Sequence, residues 1–243
     1  MTYNGTNSWL VDWDGGTVLI DPGSEDENHL DAILAECDGR LTHILLSHTH
    51  HDHLDGALTL ARRAGVPTAG FRHSADPEFE ADIALDDGDR IGGLTVLHTP
   101  GHAMDHLCFA RDDGILFSGD HVMGWSTSVV PPPPYGDLTL FIAQLERVRD
   151  RCDRLMLSAH GAAITRPFET VQGLLEHRLA REQSIAALLT DSPQPIEILL
   201  GRAYVNLKAG LFGPARANLL SHLVKLERDG RAVRSDEGWR TAR

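Results

Sequence analysis

Three cysteines, two lysines and the absence of any long apolar run bound what this 243-residue chain can be. Cys37, Cys108 and Cys152 are widely spaced and odd in number, which leaves no disulfide framework and no clustered thiolate site. Cys37 and Cys152 fall near predicted helix ends and Cys108 in a predicted strand, where thiols serve as packing groups rather than nucleophiles. No apolar stretch approaches the roughly 20 residues needed to cross a bilayer. Met1-Thr2-Tyr3-Asn4-Gly5 is not a charged region leading into an apolar one. The expectation is a soluble, cytoplasmic protein with no membrane contact. Lys208 and Lys225 stand beside twenty arginines, a ratio that reads as coding bias rather than a binding device. With 42% hydrophobic content, the length suffices for one substantial core, or a core and a small appendage.

Histidine is the residue the chain has in quantity, and four of its fourteen stand in Ser47-His48-Thr49-His50-His51-Asp52-His53. Leu41 to Leu46 reads as an apolar strand, and Leu54, Leu58 and Ala61 begin a helical spacing. The polar run is therefore the loop at a strand's end. Neutral imidazole and carboxylate suit zinc or a similar borderline cation, and side chains two apart on an irregular loop can converge on one ion. Three later loops repeat the arrangement of a strand followed by a polar ligand. His102 follows Leu94 to His98 in Thr99-Pro100-Gly101-His102. Asp120 follows Ile115 to Phe117 in Ser118-Gly119-Asp120. His160 follows Leu155 to Leu157 in Ser158-Ala159-His160-Gly161. Taken singly, a His after Pro-Gly is equally a turn residue, and an Asp after Gly equally a helix cap. Their order gives them weight together.

His48-x-His50-x-Asp52-His53, with His102, Asp120 and His160 after it, resembles the signature of the metallo-β-lactamase superfamily. The resemblance implies an α/β fold, an αββα sandwich with the metal loops at one edge. Pattern alone leaves several layered architectures open. It implies one metal on His48, His50 and His102, another on Asp52, His53 and His160, and Asp120 as the bridge. Two Zn²⁺ per chain are expected, with Mn²⁺ or Fe as alternatives for a His and carboxylate donor set. In such a site two cations make a shared water acidic, so hydrolysis by a metal-bound hydroxide is implied, with Asp52 and Asp120 as the catalytic carboxylates. His51, His106 and His121 neighbour a shell already filled and are expected to support it or face solvent. Gly5-Thr6-Asn7-Ser8-Trp9 resembles the segment with which the family opens its first sheet. Relatives carry a further strand upstream, so a shortened sheet or a partner subunit is expected at that edge, and a homo-oligomer is one solution.

Elsewhere the chain alternates. Trp9 to Val11 and Thr17 to Ile20 flank a hairpin turn, Asp21-Pro22-Gly23 ends the second strand, and a helix follows from about Asn28 to Cys37. A helix running through Arg63 and a strand at Thr68 to Phe71 come after the metal loop. Pro131 to Pro134 is expected to be a stiff, extended loop, with Trp125 and Tyr135 as contacts for a substrate or as parts of a connector. Asp137 is placed to cap a helix from Leu138 to Arg149. A long helix from Phe168 to Leu189 leads to helices at Pro195 to Tyr204 and Ala215 to Arg228, and then a hairpin to Trp239. A catalytic domain at 1–190 and a helical, winged-helix-like domain at 191–243 are expected. This C-terminal arrangement, with Glu176-His177-Arg178 and Arg181-Glu182 before it, resembles the β-lactamase-like protein 2 group, whose characterised animal members are endoribonucleases. For His177 and Arg178 a polar network joining core to appendage is expected ahead of catalysis.

From residue 197 onward nine Lys or Arg face five Asp or Glu, an excess of +4 on a chain of net charge −13. That permits an anionic partner at the appendage and disfavours broad nucleic-acid affinity. Three function classes follow. A phosphodiesterase acting on single-stranded RNA leads, on the group resemblance. A hydrolase of small esters, thioesters or lactones is the alternative, and a non-catalytic metal-binding module the third. β-Lactamase action ranks below the small esters and ahead of the binding module, since many such enzymes carry Cys where Asp120 stands and bear export signals.

Overall fold

The structure, a computed structural model, describes residues 4–242. The start Met1 to Tyr3, part of the N-terminal reading above, lies outside them. Strands β1 (Trp9–Trp13) and β2 (Gly16–Ile20) pair antiparallel. Helix α1 (Glu27–Cys37), opened by the Asp26 carboxylate accepting from His29 N, leads to β3 (Leu41–Leu45), parallel to β2. Helix α2 (His51–Ala64) leads to β4 (Thr68–Phe71) and β5 (Ile83–Leu85), completing a five-stranded sheet in order β1-β2-β3-β4-β5 with β1 at its edge. The second sheet takes β6 (Arg90–Ile91), β7 (Leu94–His98), β8 (Leu107–Ala110) and β9 (Ile115–Gly119) as an antiparallel run. After α3 (Leu138–Asp150), β10 (Leu155–Ser158) joins β9 in parallel.

Alternation along the strands builds the layers. Val18 and Ile20 of β2 and Leu45 of β3 meet Val96, Phe109 and Phe117 between the sheets, while Leu19 and Ile44 turn outward onto Leu30, Leu54 and Leu60 of α1 and α2. Leu97, Cys108, Leu116 and Met156 turn outward from the second sheet onto Phe141 and Leu145 of α3 and Val171 of α4 (Pro167–Ala186). A one-residue slip in any of these strands would exchange the two faces, each large buried side chain being worth about 1.5–3 kcal/mol. The result is the αββα sandwich.

Helix α4 belongs to two cores. Its Val171 and Leu175 pack on the second sheet, and its Ile185 packs with Leu199 of α5 (Ile196–Ala203), Leu219, Leu223 and Leu226 of α6 (Phe212–Arg228), and Trp239 of the hairpin β11 (Ala232–Ser235) and β12 (Gly238–Thr241). Helices followed by a hairpin wing form the C-terminal unit. Buried Glu182 of α4 pairs with Lys225 at 3.0 Å and Arg231 at 2.9 Å, tying that unit to the helix.

Some local expectations are corrected. α4 ends at Ala186 rather than Leu189, and Ala187 to Leu189 continue as a turn that still buries Leu189. α6 begins at Phe212, three residues earlier than expected, because Pro214 lies in its first turn, where no helical N–H is needed. β5 and β6 went unforeseen, being too short to show a period. The proline run is not extended throughout. It turns at Pro133 to Tyr135, with Gly136 N donating to Pro132 O, and Tyr135 is 75% exposed.

Candidate metal centre

The loops at the ends of β2, β3, β7, β9 and β10 meet at one rim of the sandwich. Asp21, just past β2 at φ 51°, is the post on which the His-rich loop hangs. Its Oδ1 accepts from Ser47 N at 2.7 Å, and its Oδ2 accepts from Ser47 Oγ at 2.6 Å and from His53 Nδ1 at 2.9 Å. The loop then enters α2, so Asp52 and His53 are presented by its first turn.

All seven residues expected from sequence come together here. His50 Nδ1 lies 2.8 Å from His48 Nε2 and 3.1 Å from His102 Nε2, forming one trio. Asp52 Oδ2 lies 3.2 Å from His160 Nε2 and 3.6 Å from His53 Nε2, forming a second. Asp120 stands between them. Its Oδ1 is 3.2 Å from His160 Nε2 and 3.8 Å from His53 Nε2, and its Oδ2 is 3.6 Å from His102 Nε2. Donor atoms on a tetrahedral ion at about 2.1 Å are about 3.4 Å apart, close to the spacing within both trios. His53 Nε2 is buried without a hydrogen-bond partner, a costly state that a cation would relieve.

The far nitrogens set the tautomers. His102 Nδ1 donates to Val129 O at 2.6 Å, His160 Nδ1 to Gly5 O at 3.0 Å and His53 Nδ1 to Asp21, while His48 Nδ1 meets Ser47 Oγ at 3.0 Å. With Nδ1 committed, Nε2 is the ring atom left facing inward, and it can give a lone pair to a cation once it carries no proton. Burial holds His48 well below the usual histidine range and His50 at about 4, so both stay neutral. Burial also opposes a charge on His53 and His160, but carboxylates outweigh it: Asp21 raises His53, and Asp120 and Asp52 raise His160 to about 10. Against the cost of burial, the hydrogen bond with His160 and the charges of His53 and His160 keep Asp52 ionised well below the carboxylate range.

Two glycines are required by these contacts. At Gly101, φ +147°, a Cβ would lie 2.5 Å from Phe141 Cα; at Gly119, φ +50°, it would lie 2.6 Å from His106 Nε2. His106 is a support: its Nε2 accepts from Asp120 N at 3.0 Å and its Nδ1 meets Thr99 Oγ1 at 2.8 Å. His51 is exposed, its Nδ1 3.2 Å from Asp55, and His121 is buried against Phe141. Asp21 was missed by sequence reasoning, because Asp-Pro-Gly after a strand looks like any turn. The cleft over the centre holds about 160 Å³, with Met123, Trp125 and Val129 as its apolar walls; Tyr135 does not line it.

The description "Metallo-beta-lactamase superfamily" matches residues 1–161. The chain belongs to that superfamily. A second description, "Beta-lactamase associated winged helix domain", matches residues 196–239, so the superfamily fold here carries a winged-helix unit. The chain is similar to the "Beta-lactamase-like protein 2 homolog" of Drosophila melanogaster, 30% identical over 95% of this chain and 85% of that protein. It is also similar to the "Atrochrysone carboxyl ACP thioesterase" of Claviceps purpurea, 32% identical over 77% of this chain, which spans 61% of that protein. A metallo-beta-lactamase family protein of Thermus thermophilus shares the superfamily fold at a TM-score of 0.80, 24% identical, covering 98% of this chain and 93% of that one.

Proposed function

We propose that this superfamily member is a metal-dependent hydrolase of carboxylic thioesters or related small esters. His48, His50 and His102 would hold one divalent cation, Asp52, His53 and His160 a second, and Asp120 would bridge them, with Zn²⁺ the leading candidate and Mn²⁺ or Fe the alternatives. Such a pair, when bound, lowers the pKa of water and polarises a carbonyl oxygen. Asp52, whose Oδ2 faces His53 and His160, would also orient the attacking water. Water adds across the thioester, giving a carboxylic acid and a thiol.

One observation carries the substrate class. Among the described residues lining the cleft, every ionisable side chain belongs to the expected ligand set, so no carboxylic acid or ammonium group is left to protonate a leaving group. A thiolate departs without one, since thiols ionise near pH 8.5, whereas the alkoxide released from an oxygen ester or a phosphodiester is far more basic, so thioesters lead within the proposed class. The thioesterase name of one relative and the apolar walls accord with this.

Cleavage of single-stranded RNA is the second reading, favoured by the excess of cations in the winged-helix unit. It takes second place because Arg216, Lys225, Arg228 and Arg231 are paired with Glu197, Glu182, Asp137 and Glu182 in turn. Metal content measured beside turnover of thioesters, lactones, a bis(nitrophenyl) phosphodiester and RNA, before and after chelation, tests both. About two metals per chain with chelator-sensitive thioester cleavage is the expected result. Selective RNA cleavage would overturn the substrate class, and no metal-restored turnover would leave a binding module.

A further inference from the structure

Arg178 is the cation that the centre above does not use. It lies in α4 at 3% exposure, and no carboxylate stands within ion-pair distance of it among the described residues. Its Nη1 donates to Asn218 Oδ1 at 3.0 Å and its Nη2 to the Ser128 carbonyl, so it joins core to winged-helix unit as the sequence led one to expect. That accounts for only part of it. Nε is buried without a partner, and the guanidinium sits 5.3 Å over the Phe141 ring. A buried cation with no counter-charge is costly, and an arginine stays protonated even when burial brings it down to about 10.

Arg178 also lines a second cavity, of about 320 Å³, between the 126–129 loop, α4 and the 204–218 segment. Tyr204, Leu207, Leu211 and Pro214 make its walls largely apolar. Ser126, Thr127 and Val129 line both this cavity and the metal cleft, so the two adjoin through a shared wall. Val129 is moreover the residue whose carbonyl holds His102.

We propose that this cavity binds an apolar arm of the substrate that carries one anionic group, and that Arg178 is its counter-charge. This rests on the acyl-hydrolase reading above. The chemistry of the anion is a carboxylate or a phosphate monoester, borne on the acyl side or on the thiol side of the scissile bond.

Binding is measured first on the full-length, metal-free protein, so that no anion is held by metal. Calorimetry with octanoate, octyl phosphate and octanol is expected to show at least one anion bound roughly 10- to 100-fold tighter than octanol, the range of a charge-assisted hydrogen bond. Arg178→Met should abolish that preference and Arg178→Lys restore part of it. Leu211→Glu, at a wall residue 41% exposed, should weaken the anion and leave octanol unchanged, while Leu211→Lys should tighten it. The Leu211 pair decides the matter if Arg178→Met does not fold. Equal affinity for octanol and both anions, or indifference to Leu211 charge, overturns the proposal. Kinetics of the zinc-loaded enzyme then separate the sources. A lower KM for an ω-carboxyoctanoyl thioester of N-acetylcysteamine places the anion on the acyl side. A lower KM for octanoyl-phosphopantetheine places it on the thiol side. If anions bind but no thioester is cleaved, the acyl-hydrolase reading fails and the anion site stands.

Discussion

Asp21 does more for the centre than its place in a turn implies, because one buried carboxylate accepts three hydrogen bonds and thereby positions both the His48 loop and the His53 ring. Asp21→Asn is expected to lower metal affinity about 10- to 100-fold, the usual effect of losing a partner behind a ligand. Competition with a chromogenic chelator reads this. Asp120→Ala should lose both metal and turnover, whereas His51→Ala, whose ring is exposed, should retain both; full activity in the first variant would contradict the bridging role. His160 is raised from 6.5 to about 10 when no metal is bound, so its charge stabilises the metal-free fold fully below about pH 6.5, and that stability is lost as pH rises toward 10. The Tm of chelated protein should fall across that window. Metal displaces the proton, so the Tm of loaded protein should fall less; parallel curves would show that His160 does not ligate.

At the scale of elements, the centre depends on how loops are seated on helices. Asp137 Oδ1 accepts from Thr139 N and Leu140 N at the start of α3, and Asp137 N donates to Gly101 O at 2.8 Å, so the cap and the His102 loop are one assembly. Asp137→Ala should cost about 1 kcal/mol or somewhat more in chemical denaturation, since the pairing with Arg228 goes as well. Gly101→Ala is expected to do greater harm, about 1–3 kcal/mol, because the new Cβ meets backbone rather than a movable side chain. If the loop yields instead, His102 is displaced and metal affinity falls at nearly unchanged stability.

For the molecule as a whole, α4 makes the winged-helix unit continuous with the sandwich, one helix being buried in both cores. Trp239, 3% exposed at the far end of the chain, packs in the second core. Trp239→Ala should cost about 3–5 kcal/mol and, acting through α4 and Arg178, lower the Tm of the entire chain in a single transition. Two resolved transitions in calorimetry would show that the units unfold independently. No helix among the described residues is long and apolar enough to cross a membrane.

The seven candidate ligands were legible because each stands in a polar motif at the end of an apolar strand, and local pattern is enough to mark such a junction. Helices with strong periodicity were legible for the same reason, as α3 and the body of α6 were, while β5 and β6 were too short to carry a period. Tertiary structure decided what depends on contacts across long stretches of sequence: the role of Asp21, the tautomers set by Val129 and Gly5 carbonyls, and the turn within the proline run. It also decided that no carboxylate among the described residues pairs with Arg178. A sequence displays the charges a chain carries, but whether a charge is neutralised depends on which side chains the fold brings within a few ångströms.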